Sequence, residues 1–510
     1  MEIIKNKVSA PIEIPAEKIG LPTRGATVHS CKHFNVGDED TGGFFAGAKL
    51  AAQNEYFKLE GVIHPFDETA PNIRFEVSLP CEWNGKLVQF GGGGLNGFVP
   101  TTNAPLVAQD EISSPPLAKG YIVFGSDSGH TADVTNFMSC KWAQNREAFE
   151  NFAHLSLKKT KDVVVYLTEL LYGAAPEKVY FYGGSNGGRE CMKAIQTYPT
   201  DYDGAVCFFP VLYWVLKVLA DVRNADVLEK IGGAGMIDGD THAKIQQIVL
   251  DICDGLDGVK DGIVSNIPAA IEKREAVEKA VSEILSPEQF EALKSIISPM
   301  SVPFPLAFGE AELPGYPVFE GASIEGLFSS TPEARDAGSV MGGDSVISYI
   351  FAQDGKFNPR NFDPASKQAR IQEISRWMDA YDSNLDVFRE KGGKLILVQG
   401  TSDPLVTAHG TTQFYNSLVE RYGADEASTF IKYFVVPGYG HGVGGSFMIS
   451  AGFLATLDNW VTAGTEPQNL VAMDISSQTI GRIRPLCEYP AYPHYVGDGD
   501  VNRAESFKKV

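Results

Sequence analysis

The stretch KVYFYGGSNGGRECMKAIQTYP, residues 178–199, decides the fold. A run of β-branched and aromatic residues from Lys178 ends in Gly183 and Gly184; Ser185 follows, and after Gly187 and Gly188 the sequence turns helical. Strand, glycine turn and helix with a serine at the turn is a G-x-S-x-G in the setting its chemistry needs. The glycines tolerate a tight turn and let the helix pack close, while the helix N-terminus aims N–H dipoles at a developing oxyanion. Ser185 is therefore the candidate nucleophile. The competing reading, a glycine turn with an incidental serine, leaves the flanking strand and helix unexplained.

The same pattern recurs on both sides. LVQF (Leu87 to Phe90), YIVFGS (Tyr121 to Ser126), AVCFFP (Ala205 to Pro210), KLILVQG (Lys394 to Gly400) and IKYFVVPG (Ile431 to Gly438) are short apolar runs closed by glycine, proline or serine, as buried parallel strands read. Between YIVFGS and KVYFYG, Leu155, Val163, Val164, Leu167 and Leu171 recur near helical spacing, with Gly173 placed to cap the helix. Strand, helix, strand means α/β. From about Trp214 to Asp386 the strand signal vanishes, and Ser298 to Pro317 is rich in Pro and Gly. The division expected is a core of residues 1–213 and 387–510 interrupted by an inserted domain, 214–386. The part before Asn84 reads as β-rich and irregular, and SFMISAGFLATLDNWVTAG, residues 446–464, as a closing helix.

A serine hydroxyl becomes nucleophilic when a histidine takes its proton and a carboxylate orients that histidine. Asp403 stands just past the strand KLILVQG and His441 just past IKYFVVPG, and the carboxyl ends of strands are where α/β sheets place chemistry. The order Ser, Asp, His is that of α/β-hydrolases. His409, close to Asp403 in sequence, is the rival base; Asp382, Asp386 and Asp425 read as solvated charges. The run Gly91 to Gly94 after LVQF supplies one oxyanion N–H, with Gly92 and Gly93 the candidates, and Asn186 supplies the other.

Asp254, Asp257 and Asp261 fall within eight positions of the glycine-rich loop DGLDGVKDGI, residues 254–263. Carboxylates this dense repel unless a cation binds them, and oxygen-rich loops suit Ca²⁺, the carbonyls of Val259 and Ile263 completing the set. The loop is not an EF-hand, and a solvated acidic turn is the alternative.

Composition excludes other classes. The 510 residues are 44% hydrophobic and 21% charged, which rules out disorder and coiled coil. With 43 Lys and Arg against 64 Asp and Glu the net charge is -21, which repels nucleic acid and acidic membranes. The longest apolar stretch, Ala205 to Leu216, is broken by Pro210 and falls short of the ~18 residues of a membrane span. Seven scattered cysteines show neither CxxC spacing nor a complete disulfide set, and no signal-peptide core precedes Glu13, so a cytoplasmic protein is expected. A homo-oligomer is left open.

These motifs together resemble the tannase and feruloyl esterase family of α/β-hydrolases, which includes a polyester-monomer (MHET) hydrolase. WNGKLVQFGGGG, YIVFGSDSGH, YFYGGSNGGRECMKAIQTYPTDYDGAV, DGLDGVKDGIV, GGKLILVQGTSDPLV and YFVVPGYGHGVGG carry the likeness from Trp83 to Gly445. The resemblance implies an α/β-hydrolase core, a large lid inserted between the nucleophile region and the acid, and a structural Ca²⁺ in the lid at Asp254, Asp257, Val259, Asp261 and Ile263. It implies the triad Ser185, Asp403, His441 and small aromatic ester substrates: feruloyl, chlorogenate or galloyl esters. Many secreted relatives carry a cysteine before the serine and another after the histidine, tied as a disulfide; Gly184 and Gly442 stand there, in keeping with a reducing compartment. A serine peptidase or acyltransferase on the same scaffold, or a non-catalytic Ca²⁺-dependent binding protein, are the competing readings.

Overall fold

The six apolar runs form one parallel block at the centre of a ten-stranded sheet. The structure, a computed structural model, describes residues 10–41, 49–104, 114–133, 135–324, 342–476 and 479–510. The strands are β1 (Ile12–Ile14), β2 (Ala26–Phe34), β3 (Tyr56–Ile63), β4 (Ile73–Pro80), β5 (Lys86–Phe90), β6 (Ile122–Ser126), β7 (Lys178–Gly184), β8 (Gly204–Phe208), β9 (Lys394–Gly400) and β10 (Ile431–Val436). Their spatial order is β1-β2-β3-β4-β6-β5-β7-β8-β9-β10. Strands β5 to β10 are parallel. The β-rich N-terminal part joins as an antiparallel flank, β1 to β4, through β6.

Continuous apolar runs are what a sheet covered on both faces demands. In β7, Val179 and Phe181 enter one core while Tyr180 and Tyr182 enter the other, and in β9 Leu395 and Leu397 oppose Ile396 and Val398 in the same way. Helix α1 (Ser156–Tyr172) ends on Gly173 at φ 77°, as its sequence predicts. Leu155 lies outside it, half-buried in a π-helical turn over Asn151–Leu155. Helix α2 (Asn186–Thr197) follows the nucleophile and is buried nearly throughout.

After β8 the chain leaves the sheet for helices α3 (Trp214–Lys230) and α4 (Gly239–Cys253) and loops, and returns at β9. This stretch has a core of its own around Ile245, Val249, Leu293 and Phe319. It is not free of strand: Met300–Ser301 pairs with Glu312–Leu313, a two-residue ladder too short to show period-two patterning. Helix α5 (Ala408–Tyr422) packs on β9. The closing helix α6 covers only Phe453–Ala463, because Ile449–Ser450 is drawn into a small antiparallel sheet with Val471–Asp474. Among the described residues no helix is long and apolar enough to cross a membrane.

Candidate active site

Ser185 sits at φ 61°, ψ -126°, where a side chain other than glycine is strained by about 1–3 kcal/mol. The strain is held by the sheet, the helix and the loop after β8: Ser185 N donates to Phe208 O (3.1 Å), while Arg189 N and Val211 N donate to Ser185 O at 3.0 and 3.3 Å. This turn lifts the hydroxyl clear of the end of β7 and toward the loops after β9 and β10.

Those loops bring the sequence-predicted acid and base to the serine. His441 Nε2 is 2.8 Å from Ser185 Oγ, and His441 Nδ1 is 2.9 and 3.1 Å from the two Asp403 carboxylate oxygens. The Asp403 side chain is fully buried. Its Oδ1 accepts from Leu405 N (2.8 Å) and Val406 N (2.9 Å), and Gln399 Nε2 approaches Oδ2 at 3.4 Å. A buried carboxylate so satisfied is fixed in place and orients the imidazole with Nε2 toward the hydroxyl, the geometry of a serine nucleophile with its base. His409 is not part of this chain: it lies on α5, and its buried Nε2 finds no hydrogen-bond partner among the described residues.

The inserted stretch grips the acid and nucleophile elements. Tyr316 Oη donates to Leu405 O (2.8 Å), Thr407 Oγ1 to Gly315 O (2.9 Å) and Ser402 Oγ to Gly321 O (3.0 Å). On α2, Gln196 Nε2 reaches Ala380 O and Asp382 O, and Lys193 Nζ reaches Arg376 O. Its aromatic residues are core: Phe304 and Phe351 are buried, Phe319 is fully so, Tyr349 and Phe357 pack partly buried, and Phe308 lies against Lys193. Residues 325–341 of the expected lid lie outside the described residues.

Of the two glycines left as alternatives for the oxyanion, Gly92 gives its N–H to Glu190 Oε2 at 2.9 Å and is thereby engaged. Gly93 N–H has no partner among the described residues, and beside it lies open space, the nearest atom to a built Cβ being on Phe98 at 4.0 Å. The loop rests on the nucleophile helix with no room for side chains: a Cβ on Gly187 would lie 2.4 Å from Gly92 O. Neither Glu190 nor Phe209, whose ring lies against His441, was legible as part of the site. In the sequence Glu190 is one residue of the helix after Ser185, and Phe209 one of the apolar run AVCFFP.

In the acidic loop, Asp254 and Asp257 are buried. Asp254 accepts from Asp261 N and Gly262 N, Asp257 Oδ1 from Val259 N and Asp261 Oδ1 from Ile263 N. Asp257 Oδ2 is buried without a hydrogen-bond partner among the described residues. Burial pushes the Asp257 carboxyl up to about 6. The orphaned Asp257 oxygen is the feature of the loop that suits a divalent cation. The sequence missed one competitor: Arg484 pairs with Asp261 Oδ2 at 2.5 Å, and Arg482 donates to Asp261 O. Among the described residues the three aspartates do not gather as one compact cluster; the His33, Glu55 and Cys81 donors do, within 4.8 Å.

Comparison with known proteins gives the family and the fold. A family model described as tannase and feruloyl esterase matches residues 58–510. An uncharacterized esterase of Agrobacterium fabrum is 37% identical, covering 98% of this chain and 91% of its own. The mono(2-hydroxyethyl) terephthalate hydrolase of Piscinibacter sakaiensis is 28% identical over 91% and 86%. A crystal structure of feruloyl esterase B from Aspergillus oryzae superposes with a TM-score of 0.80 at 20% identity, over 97% of this chain and 98% of that one.

Proposed function

The chain belongs to the tannase and feruloyl esterase family and is a carboxylic ester hydrolase of α/β-hydrolase fold, and from that premise we propose that it is a serine esterase acting on small esters of hydroxylated aromatic acids. The observation that carries the mechanism is the continuous chain Ser185 Oγ, His441, Asp403 at hydrogen-bond distances. Ser185 Oγ attacks the ester carbonyl carbon as its proton passes to His441 Nε2, and Asp403 stabilises the imidazolium. The carbonyl oxygen, now an oxyanion, takes N–H groups from Asn186 and Gly93. Collapse breaks the ester C–O bond, the alcohol leaves with the proton from His441, and water repeats the sequence on the acyl-enzyme to release the acid.

The aromatic acyl preference rests on the family and not on the aromatics of the insertion, which are packed as core. A structural Ca²⁺ at Asp254, Asp257, Asp261 and the carbonyls of Val259 and Ile263 belongs to the same proposal, supported by the orphaned Asp257 oxygen. It would supply charge compensation to the loop and take no part in the reaction. A reducing compartment is supported by the seven cysteines, all free thiols. Hydrolysis of gallate, ferulate, chlorogenate and terephthalate monoesters, with Ser185→Ala as control, tests the substrate class. A higher kcat/KM for palmitate esters than for every aromatic ester would contradict it.

A further inference from the structure

Behind the nucleophile runs a buried chain of four polar side chains whose direction is forced at both ends. Arg189 is fully buried, clamped by the carbonyls of Ala153 (2.8 Å) and Phe152 (3.2 Å). Its Nε meets Asn186 at 2.6 Å, and because a guanidinium only donates, the atom it meets is the amide oxygen. Asn186 Nδ2 therefore faces Asn96, whose Oδ1 accepts at 3.0 Å, with Glu190 Oε1 a longer second acceptor at 3.4 Å. Asn96 Nδ2 in turn faces Glu190 Oε1, and the other carboxylate oxygen takes Gly92 N–H at 2.9 Å. A donor-only group stands at one end and an acceptor-only carboxylate at the other, so neither amide is free to flip.

The chain joins two elements that must keep register for the reaction. Glu190 and Arg189 lie on the helix that begins at Asn186, and Gly92 and Asn96 lie in the glycine loop. That loop presses on the helix so closely that a Cβ on Gly91 would come within 2.6 Å of Gly187 Cα. Asn96 N also donates to Gly93 O at 2.8 Å, closing a turn that begins at Gly93. Fixing Gly92 and Asn96 from the helix thus fixes the peptide between them, whose N–H is unpaired among the described residues.

We propose that Glu190 is the positioning residue of the oxyanion loop: by binding Gly92 N–H and the Asn96 amide it holds the Gly93 N–H, with that of Asn186, toward the carbonyl oxygen of the ester bound at Ser185. This rests on the serine-esterase reading above. Glu190 touches no reacting atom, and its effect falls on the transition state, where charge on that oxygen develops, so binding of the neutral ester is little affected.

The test is a polarity swap. Glu190→Gln keeps the shape but sets an N–H₂ against a donor in either orientation, Asn96 Nδ2 or Gly92 N–H. Adding Asn96→Asp restores a complete chain. The carboxylate it introduces accepts both from Asn186 and from the amide introduced by Glu190→Gln, whose carbonyl oxygen is left to take Gly92 N–H. With 4-nitrophenyl acetate as probe, Glu190→Gln is expected to lose about ten- to hundredfold in kcat with KM within about threefold, because removing an oxyanion donor outright costs about a hundred- to thousandfold and displacing one costs less. The double variant is expected to return to within about threefold of the parent kcat. Affinity for a trifluoromethyl ketone, which forms an oxyanion on Ser185, should fall and recover in step. A folded Glu190→Gln with parental kcat, or a folded double variant no better than the single, overturns the proposal. If Glu190→Gln does not fold, the folded double variant decides alone: parental kcat supports the proposal, and a hundredfold loss contradicts it. Ser185→Ala keeps the two readings apart, since activity surviving in it defeats the serine mechanism, whereas its loss beside a normal Glu190→Gln defeats only the role of Glu190.

Discussion

The ring of Phe209 lies 4.5 Å, centroid to centroid, from the imidazole of His441. The same ring fills the space beside Gly184, where a built Cβ would come within 2.8 Å of it. One aromatic side chain thus packs against the nucleophile turn and the base loop, the two places that the family resemblance expects a disulfide to join in secreted relatives. Packing by Phe209 links the two places, and Gly442, at φ 77°, stands in a conformation that favours glycine over cysteine.

Replacing Phe209 by Ala should therefore do two things. Removing a buried phenyl ring lowers stability by about 3–5 kcal/mol. It also frees the imidazole to leave Ser185, so kcat falls by more than KM changes. The pair Gly184→Cys/Gly442→Cys should be poorly tolerated alone, and better tolerated when Phe209→Ala is added. Melting curves and kinetics on the four proteins check this; a cysteine pair that leaves both unchanged contradicts the packing argument.

Asp403→Asn should lower kcat by several orders of magnitude while the fold is kept, since the amide turns its N–H₂ toward His441 Nδ1 and disfavours the needed tautomer. Ser185→Ala/His441→Ala should be about as slow as either single variant, because the residues act as one unit. Multiplying effects in steady-state kinetics would show that they act separately.

Acid should unfold the protein partly through histidines buried neutral. Burial pushes the pKa of His130 and His154 down to about 3, and burial with the Arg274 charge pushes His409 to about 4. For a lowered base, stability is fully present above the unfolded value near 6.5 and is lost as pH falls toward the folded value. Asp127, raised to about 6 by burial, works in the opposite sense, losing stability as pH rises through that range. Comparing His409→Gln with the parent cancels all but His409. Between pH 7.5 and 5 the parent should lose about 2 kcal/mol more than the variant in urea unfolding. Equal losses would mean that His409 protonates freely in the folded chain.

If Ca²⁺ binds the acidic loop, EGTA lowers the melting temperature by removing a ligand of the folded state, a term of about 2.7 kcal/mol at a hundredfold excess over Kd. Asp257→Ala should lower the melting temperature by itself and make EGTA irrelevant. No calcium by elemental analysis and an unchanged melt would leave Arg484 as the cation that stabilises the loop.

Local pattern made much of this readable. The parallel strands show as apolar runs because both faces of the sheet are covered, and Ser185, Asp403 and His441 follow because each stands directly after such a run. What the sequence hid depends on distant partners. Arg484 meets Asp261 across more than two hundred residues, and Glu190 meets Gly92 across nearly a hundred. Ile449 looks helical by composition but is claimed by a strand partner, Asp474, that no local pattern announces.

The most direct test is covalent labelling with a fluorophosphonate, followed by peptide mass spectrometry and residual ester hydrolysis. One phosphonyl group on Ser185, loss of activity in proportion to labelling, and labelling much slowed in His441→Ala are expected. Full activity with Ser185 quantitatively modified, or a label residing on another residue while Ser185 stays free, would contradict the assignment of the nucleophile.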